Sequence, residues 1–159
     1  GPGPRPEGVL SSRGHRRPRE PGEFDKLKVL GSTAVAHAVL LPRLRVTNKV
    51  GSVVLHPVCS VTKMNLLPKL EGVAKACADK VLVPRDAGCC GFAGDRGFTH
   101  AELTASATKH EAREVKAQSF DGYYASSRTC EVGMTRSTGQ VYRSFLYLLE
   151  SATRPEASK

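Results

Sequence analysis

Three short apolar runs separated by stretches of helical periodicity constrain this chain most: Ser52–Leu55 (SVVL), Lys80–Pro84 (KVLVP) and Gly122–Ser126 (GYYAS). Runs this short, bounded by turn-forming residues, read as strands, the first of them buried on both faces. Between the first two, Leu66, Leu70, Val73 and Cys77 fall at i, i+4, i+7 and i+11, one helical stripe across Leu66–Asp79, with Pro68 tolerable only in its first turn. Between the second and third, Thr99 and Glu102 form a T-x-x-E pattern that predicts a capping box opening a helix to Gln118. Tyr142, Phe145 and Leu149, with Val141 and Leu148 beside them, predict a closing helix. Such alternation predicts βαβ units with right-handed crossovers. The expected fold class is therefore α/β, a small three-layer domain with a short, mainly parallel sheet flanked by helices.

The 159 residues suffice for one domain. Residues 1–22 are dense in Gly, Pro and Arg, without apolar period, and predict a disordered basic tail. The folded domain is expected over 23–152, opening with a helix from Phe24 to Leu44 interrupted at Gly31, and 153–159 are expected to be a flexible terminus. The net charge of +9 raises the question of nucleic acid, but five arginines against one glutamate fall within residues 1–19. The chain also lacks Trp, so stacking platforms are scarce and no nucleic-acid partner is expected. No apolar run reaches the roughly 18 residues of a membrane span. Val29–Leu41 is shorter and carries Ser32, Thr33 and His37. Arg16 and Arg17 are not followed by an export signal, which leaves the cytoplasm as the expected location.

The chain has five cysteines, an odd number for a disulfide framework. Four of them, Cys59, Cys89, Cys90 and Cys130, each come shortly after a predicted strand. In open parallel sheets ligands sit outside the carboxyl ends of the strands, so these four thiols are expected to gather there. Four thiolates are the usual complement of an iron–sulfur cluster, because soft sulfur donors match iron. The spacing lacks the tight C-x-x-C knuckles of a zinc ribbon, which leaves zinc without a local signature.

Gly88, Gly91 and Gly94 suit a loop that wraps closely around an inorganic group and donates N–H bonds to its sulfurs, although a Gly-rich turn between strand and helix also suits a phosphate. A redox dithiol at Cys89 and Cys90 ranks lower, because a disulfide between neighbours is strained. Cys77 belongs to the helical stripe and is read as core. His56, three residues before Cys59, is a candidate metal ligand or donor to a thiolate, with a strand-end histidine bonded to backbone as the alternative. Asp95 and Arg96 are read as a local ion pair that shapes the loop, and His100 and His110 as solvated or structural.

Taken together, HPVCS (56–60), GCCGFAGDRGF (88–98) and SSRTCEVG (126–133) resemble the cysteine-rich CCG domain. That domain occurs in the iron–sulfur subunit of glycolate oxidase, in heterodisulfide reductase and at the C-terminus of FAD-linked D-lactate dehydrogenases. The likeness covers roughly residues 38 to 152 and implies an electron-transfer module. A D-2-hydroxyacid would be oxidised at FAD elsewhere, and electrons would pass through iron–sulfur centres to a quinone or cytochrome. Cys59, Cys89, Cys90 and Cys130 match the family's cysteine columns and would hold a cluster of the 4Fe–4S kind.

The partners implied are FAD-binding and ferredoxin-like domains of a parent enzyme, and a quinone acceptor implies peripheral association with the inner face of the membrane. The full family pattern closes with C-x-x-C, whereas Gly133 stands here in place of the last cysteine. No flavin-binding segment and no C-x-x-C-x-x-C run occurs in this sequence, so substrate oxidation by this chain alone is not expected. The alternative is a structural zinc site or a metal-free interaction domain with vestigial thiols.

Overall fold

The computed structural model describes residues 30–155. The expected tail at 1–22 and the start of the first helix lie outside them. Within them the chain forms one four-stranded, wholly parallel sheet in the order β2-β1-β3-β4, flanked by helices. The α/β expectation holds.

Strand β1 (Val50–His56) is central, and Val53, Val54, Leu55 and His56 are all fully buried, as an unalternating apolar run requires. It pairs with β2 (Ala78–Leu82) through Val50 opposite Ala78 and Val54 opposite Leu82. On its other side it pairs with β3 (Gly122–Ala125), Val53 opposite Gly122 and His56 opposite Ala125. Asp121 fixes that register, because its carboxylate accepts from the Ser52 amide at 2.7 Å and the Ser52 hydroxyl at 2.8 Å. Strand β4 (Tyr142–Ser144) extends the sheet beyond β3. The sequence predicts helix for Tyr142. Instead Tyr142–Ser144 pair with β3 and only Phe145 begins the helix.

The first helical stretch changes pitch as it runs. It is α-helical over α1 (Ser32–Val35), π-helical over Ala36–Leu40 and 3-10 over Leu41–Arg43, where Pro42 ends it. Gly31, the expected interruption, is the residue that precedes α1. Helix α2 (Cys59–Lys63) follows β1, and α3 (Leu67–Cys77) follows it with Pro68 in the first turn and Leu70, Val73, Ala74 and Cys77 buried. The predicted helix from Thr99 to Gln118 is three pieces: α4 (Arg96–Thr99), α5 (Ala101–Ala107) and α6 (Lys109–Lys116).

The capping box does not form. The Thr99 hydroxyl donates back to the Arg96 carbonyl, and Glu102 pairs with the His100 ring at 3.0 Å. At the second break the Thr108 hydroxyl donates to the Thr104 carbonyl at 2.7 Å, the back-bonding by which threonine competes with a continuous helix. Helix α7 (Arg128–Thr138) ends at Gly139 in the left-handed region, and α8 (Phe145–Thr153) closes the domain. Thr153 is thus helical and Arg154 is bonded to Glu150, so these two belong to the domain rather than to a flexible end, while 156–159 lie outside the described residues.

Helix α8 packs on α3 and on β1, β3 and β4, whereas α7 packs on β3, β4, α5 and α6. The sheet lies between these helical layers. Its core joins Leu55, Leu70, Phe92, Met134, Phe145 and Leu148. Among the described residues no helix is long and apolar enough to cross a membrane.

Candidate metal centre

All four strands point the same way, so the segments that leave β1, β2 and β3 emerge at one edge of the sheet. Three of them carry the cysteines. Cys59 starts α2 just past Pro57 and Val58, which follow the end of β1 at His56, Cys89 and Cys90 lie in the loop between β2 and α4, and Cys130 sits in the first turn of α7.

The structure brings Cys90 and Cys130 into contact, with their sulfurs 2.8 Å apart and both residues buried. A ring nitrogen of His56 joins them, so that three ligand atoms lie within 4.8 Å of one another. Cys59 and Cys89 are exposed and stand outside this trio, though close enough that their charges act on the Cys130 thiol. Cys77 is fully buried in the core, as its helical stripe predicts.

The Gly-rich loop is shaped by two distinct constraints. Gly91 has φ +68°, and a Cβ there would lie 2.7 Å from the Leu103 carbonyl oxygen, so only glycine lets the loop rest on α5. Its N–H donates to the Cys89 sulfur at 3.5 Å. Gly94, with φ +77°, and Ala93, with φ +47°, turn the chain into α4. Gly88 has no left-handed φ and no close neighbour. Asp95 and Arg96 do not pair with each other among the described residues. Arg136 of α7 holds this segment instead, donating to the Gly97 carbonyl at 2.8 Å and lying over the rings of Phe92 and Phe98. His100 and His110 are exposed.

His56 does not bond to backbone through its ring. Its Nδ1 lies 2.8 Å from Glu111 Oε1, and both residues are almost wholly buried. The other nitrogen, Nε2, is buried and makes no hydrogen bond of good geometry. Glu111 escapes sequence reasoning, because an acidic residue in a polar helical segment reads as solvated. A signal does exist: Thr104, Thr108, Glu111 and Val115 follow at i, i+4, i+7 and i+11, and all four are buried.

The electrostatics follow from this packing. Burial disfavours the imidazolium of His56, but the neighbouring Cys90 thiolate and the Glu111 carboxylate outweigh it and lift the pKa to about 9. The Cys130 thiol at its side, with His56 and the Phe92 N–H, holds Cys90 down to about 4 against the cost of burial. Cys130 moves the opposite way, pushed up by its bond to Cys90, by burial and by the surrounding sulfur charges. One thiolate and one thiol thus share a buried corner with a protonated histidine.

This donor set fits a metal. Two sulfurs and an imidazole nitrogen are soft and borderline ligands suited to iron, zinc or copper. Two thiolates on one tetrahedral ion with metal–sulfur bonds of about 2.3 Å stand roughly 3.8 Å apart, so Cys90 and Cys130 must part by about 1 Å on binding. His56, Cys90 and Cys130 could therefore hold a metal ion. A surface cavity of about 670 Å³ bordered by Thr108, Lys109, Arg113, Lys116 and Arg136 contains none of these residues.

No family model, curated protein or solved structure matches this chain.

Proposed function

We propose that this chain is an electron-transfer module holding an iron–sulfur cluster at the carboxyl edge of its sheet. Cys90 and Cys130 are the inner ligands and Cys59 and Cys89 the outer ones. The observation that carries this reading is the contact between the Cys90 and Cys130 sulfurs, forty residues apart in the chain. Two further exposed thiols within electrostatic reach favour a cluster over a single ion, because they bring the sulfurs to the four that a cubane cluster uses.

A bound cluster supplies one-electron carriage. The chain supplies thiolates, N–H donors at Gly91 and Phe92, and an apolar wall on the inner side. On the sequence resemblance, such a module stands at the end of an FAD-linked D-lactate dehydrogenase, where it takes electrons from flavin-bearing and ferredoxin-like domains and passes them to a quinone or cytochrome. That partnership fits a position in the cytoplasm against the inner membrane face. No residue of this chain is assigned to substrate chemistry.

A mononuclear centre on His56, Cys90 and Cys130 is the second reading, favoured by their 4.8 Å grouping. Anaerobic purification and reconstitution with iron and sulfide separate the two. The cluster reading expects about four irons and four sulfides per chain, with broad visible absorption that bleaches on reduction. A colourless protein with one zinc per chain and no sulfide would replace it with the second reading.

A further inference from the structure

We infer that Glu111 and His56 belong to the metal centre as a pair: the Glu111 carboxylate accepts the Nδ1 proton of His56, so that Nε2, on giving up its own proton to solvent as the metal binds, becomes the lone-pair donor and makes His56 a nitrogen ligand beside Cys90 and Cys130. The inference rests on the reading that these two sulfurs hold a metal, and it adds a ligand and a positioning residue to it.

Three observations converge. The first is the Nδ1–Oε1 contact of 2.8 Å between two residues that water does not reach. Burying a carboxylate and an imidazole together is expensive, and an apolar pair of the same volume would fill the space at lower cost. The second is the orphaned Nε2, buried without a hydrogen-bond partner. A histidine kept only for packing would bury both nitrogens satisfied. An imidazole whose one nitrogen is held by a carboxylate and whose other faces two sulfurs has the arrangement by which proteins orient metal-bound histidines.

The third is the mounting. Glu111 lies in the first turn of α6, and the same helix is tied to the chain leaving β2 by the Arg85 amide, which donates to Glu114 Oε2 at 3.0 Å. The helix that orients His56 thus also anchors the segment leading to Cys90. With His56 as a ligand, one of the two exposed thiols becomes dispensable for occupancy.

Chain reconstituted anaerobically with iron and sulfide and then reduced gives the test, through pulsed electron paramagnetic resonance of nitrogen coupling together with metal content. Wild type is expected to show a directly coordinated imidazole nitrogen, and His56→Ala to lose it. Glu111→Ala is expected to weaken metal binding about 10- to 100-fold and to change the coupling, and Glu111→Gln, which can still accept from Nδ1, to restore most of both. A merely structural Glu111 would alter the unfolding midpoint and leave the coupling as it was.

Iron bound without coordinated nitrogen in wild type would overturn the inference while leaving the four-thiolate reading in place. Coupling that persists unchanged in Glu111→Ala would remove Glu111 from the centre. Failure of the wild type to take up any metal would bring down both readings.

Discussion

The sulfur of Cys90 lies 2.8 Å from that of Cys130, one on the loop after β2 and the other in the first turn of α7. Neither local sequence nor secondary structure requires that meeting, and the sheet's parallel order produces it. Cys90→Ser and Cys130→Ser are each expected to lose most bound iron. Cys77→Ala, made in the core and away from the edge, is expected to keep its iron and cost about 1–2 kcal/mol in urea unfolding. Equal iron content in all three variants would remove the assignment of ligands.

The stability of the metal-free chain should follow pH in three stages. His56 keeps its proton to about pH 9 rather than 6.5, while Cys90 gives its own up at about 4 rather than 9.0. Between about pH 4 and 6.5 the unfolded chain carries the extra proton, on Cys90, so stability rises with pH. From 6.5 to about 9 the folded chain's extra proton on His56 offsets it, and the curve is flat. Above 9.0 only the folded chain still protonates Cys130, and stability falls. Urea midpoints measured with a chelator present should trace this shape. Cys90→Ser should remove the initial rise, because the group that binds an extra proton in the unfolded chain over that range is gone.

Gly91 and Gly94 separate conformational strain from close contact. Both have left-handed φ, but only at Gly91 would a Cβ strike backbone. Gly94→Ala should cost about 1 kcal/mol, from backbone conformation alone. Gly91→Ala should cost roughly 2–4 kcal/mol and weaken metal uptake, because the loop must lift from α5. Thermal unfolding of the two variants side by side decides this, and equal losses would show that the contact with Leu103 is not limiting.

Arg136 is the clamp on the loop that carries Cys89 and Cys90. Its guanidinium lies 5.7 Å from the Phe92 ring centroid and 5.6 Å from that of Phe98. Arg136→Ala should cost about 1–2 kcal/mol and speed amide exchange over residues 92–99, with the sheet unaffected. Arg136→Lys should not restore it, since an ammonium lacks the planar face that stacks on both rings.

Strand β1 was legible because four successive buried residues need cover on both faces. Strand β2, by contrast, begins at Ala78, two residues before the predicted run at Lys80, and takes in Asp79 from the predicted helix, because its first residues pair with β1 while Asp79 and Lys80 stay exposed. Strand β4 was not, since its three residues include the exposed Arg143 and its pairing exists only once β3 is in place. Helix α7 was hidden by its inward face, which is built from Cys130, Glu131, Gly133, Met134 and Thr138 and gives no apolar period. The T-x-x-E pattern misled because His100 competes for Glu102 and Thr99 bonds backward.

At the site, order of strands and position of cysteines sufficed to bring Cys90 towards Cys130. Which thiols turn inward, and the burial of Glu111 against His56, depend on how α6 and α7 pack, and that is written in no single segment.

A parallel sheet sends its outgoing segments to a common edge, and here three separate excursions of the chain end at the same corner. Anything gripped there works as a clasp on the topology: it binds the native arrangement and has no counterpart in the open chain, so occupancy draws the folding equilibrium towards the closed form by mass action. The firmness of this domain is then set in part by the supply of its guest.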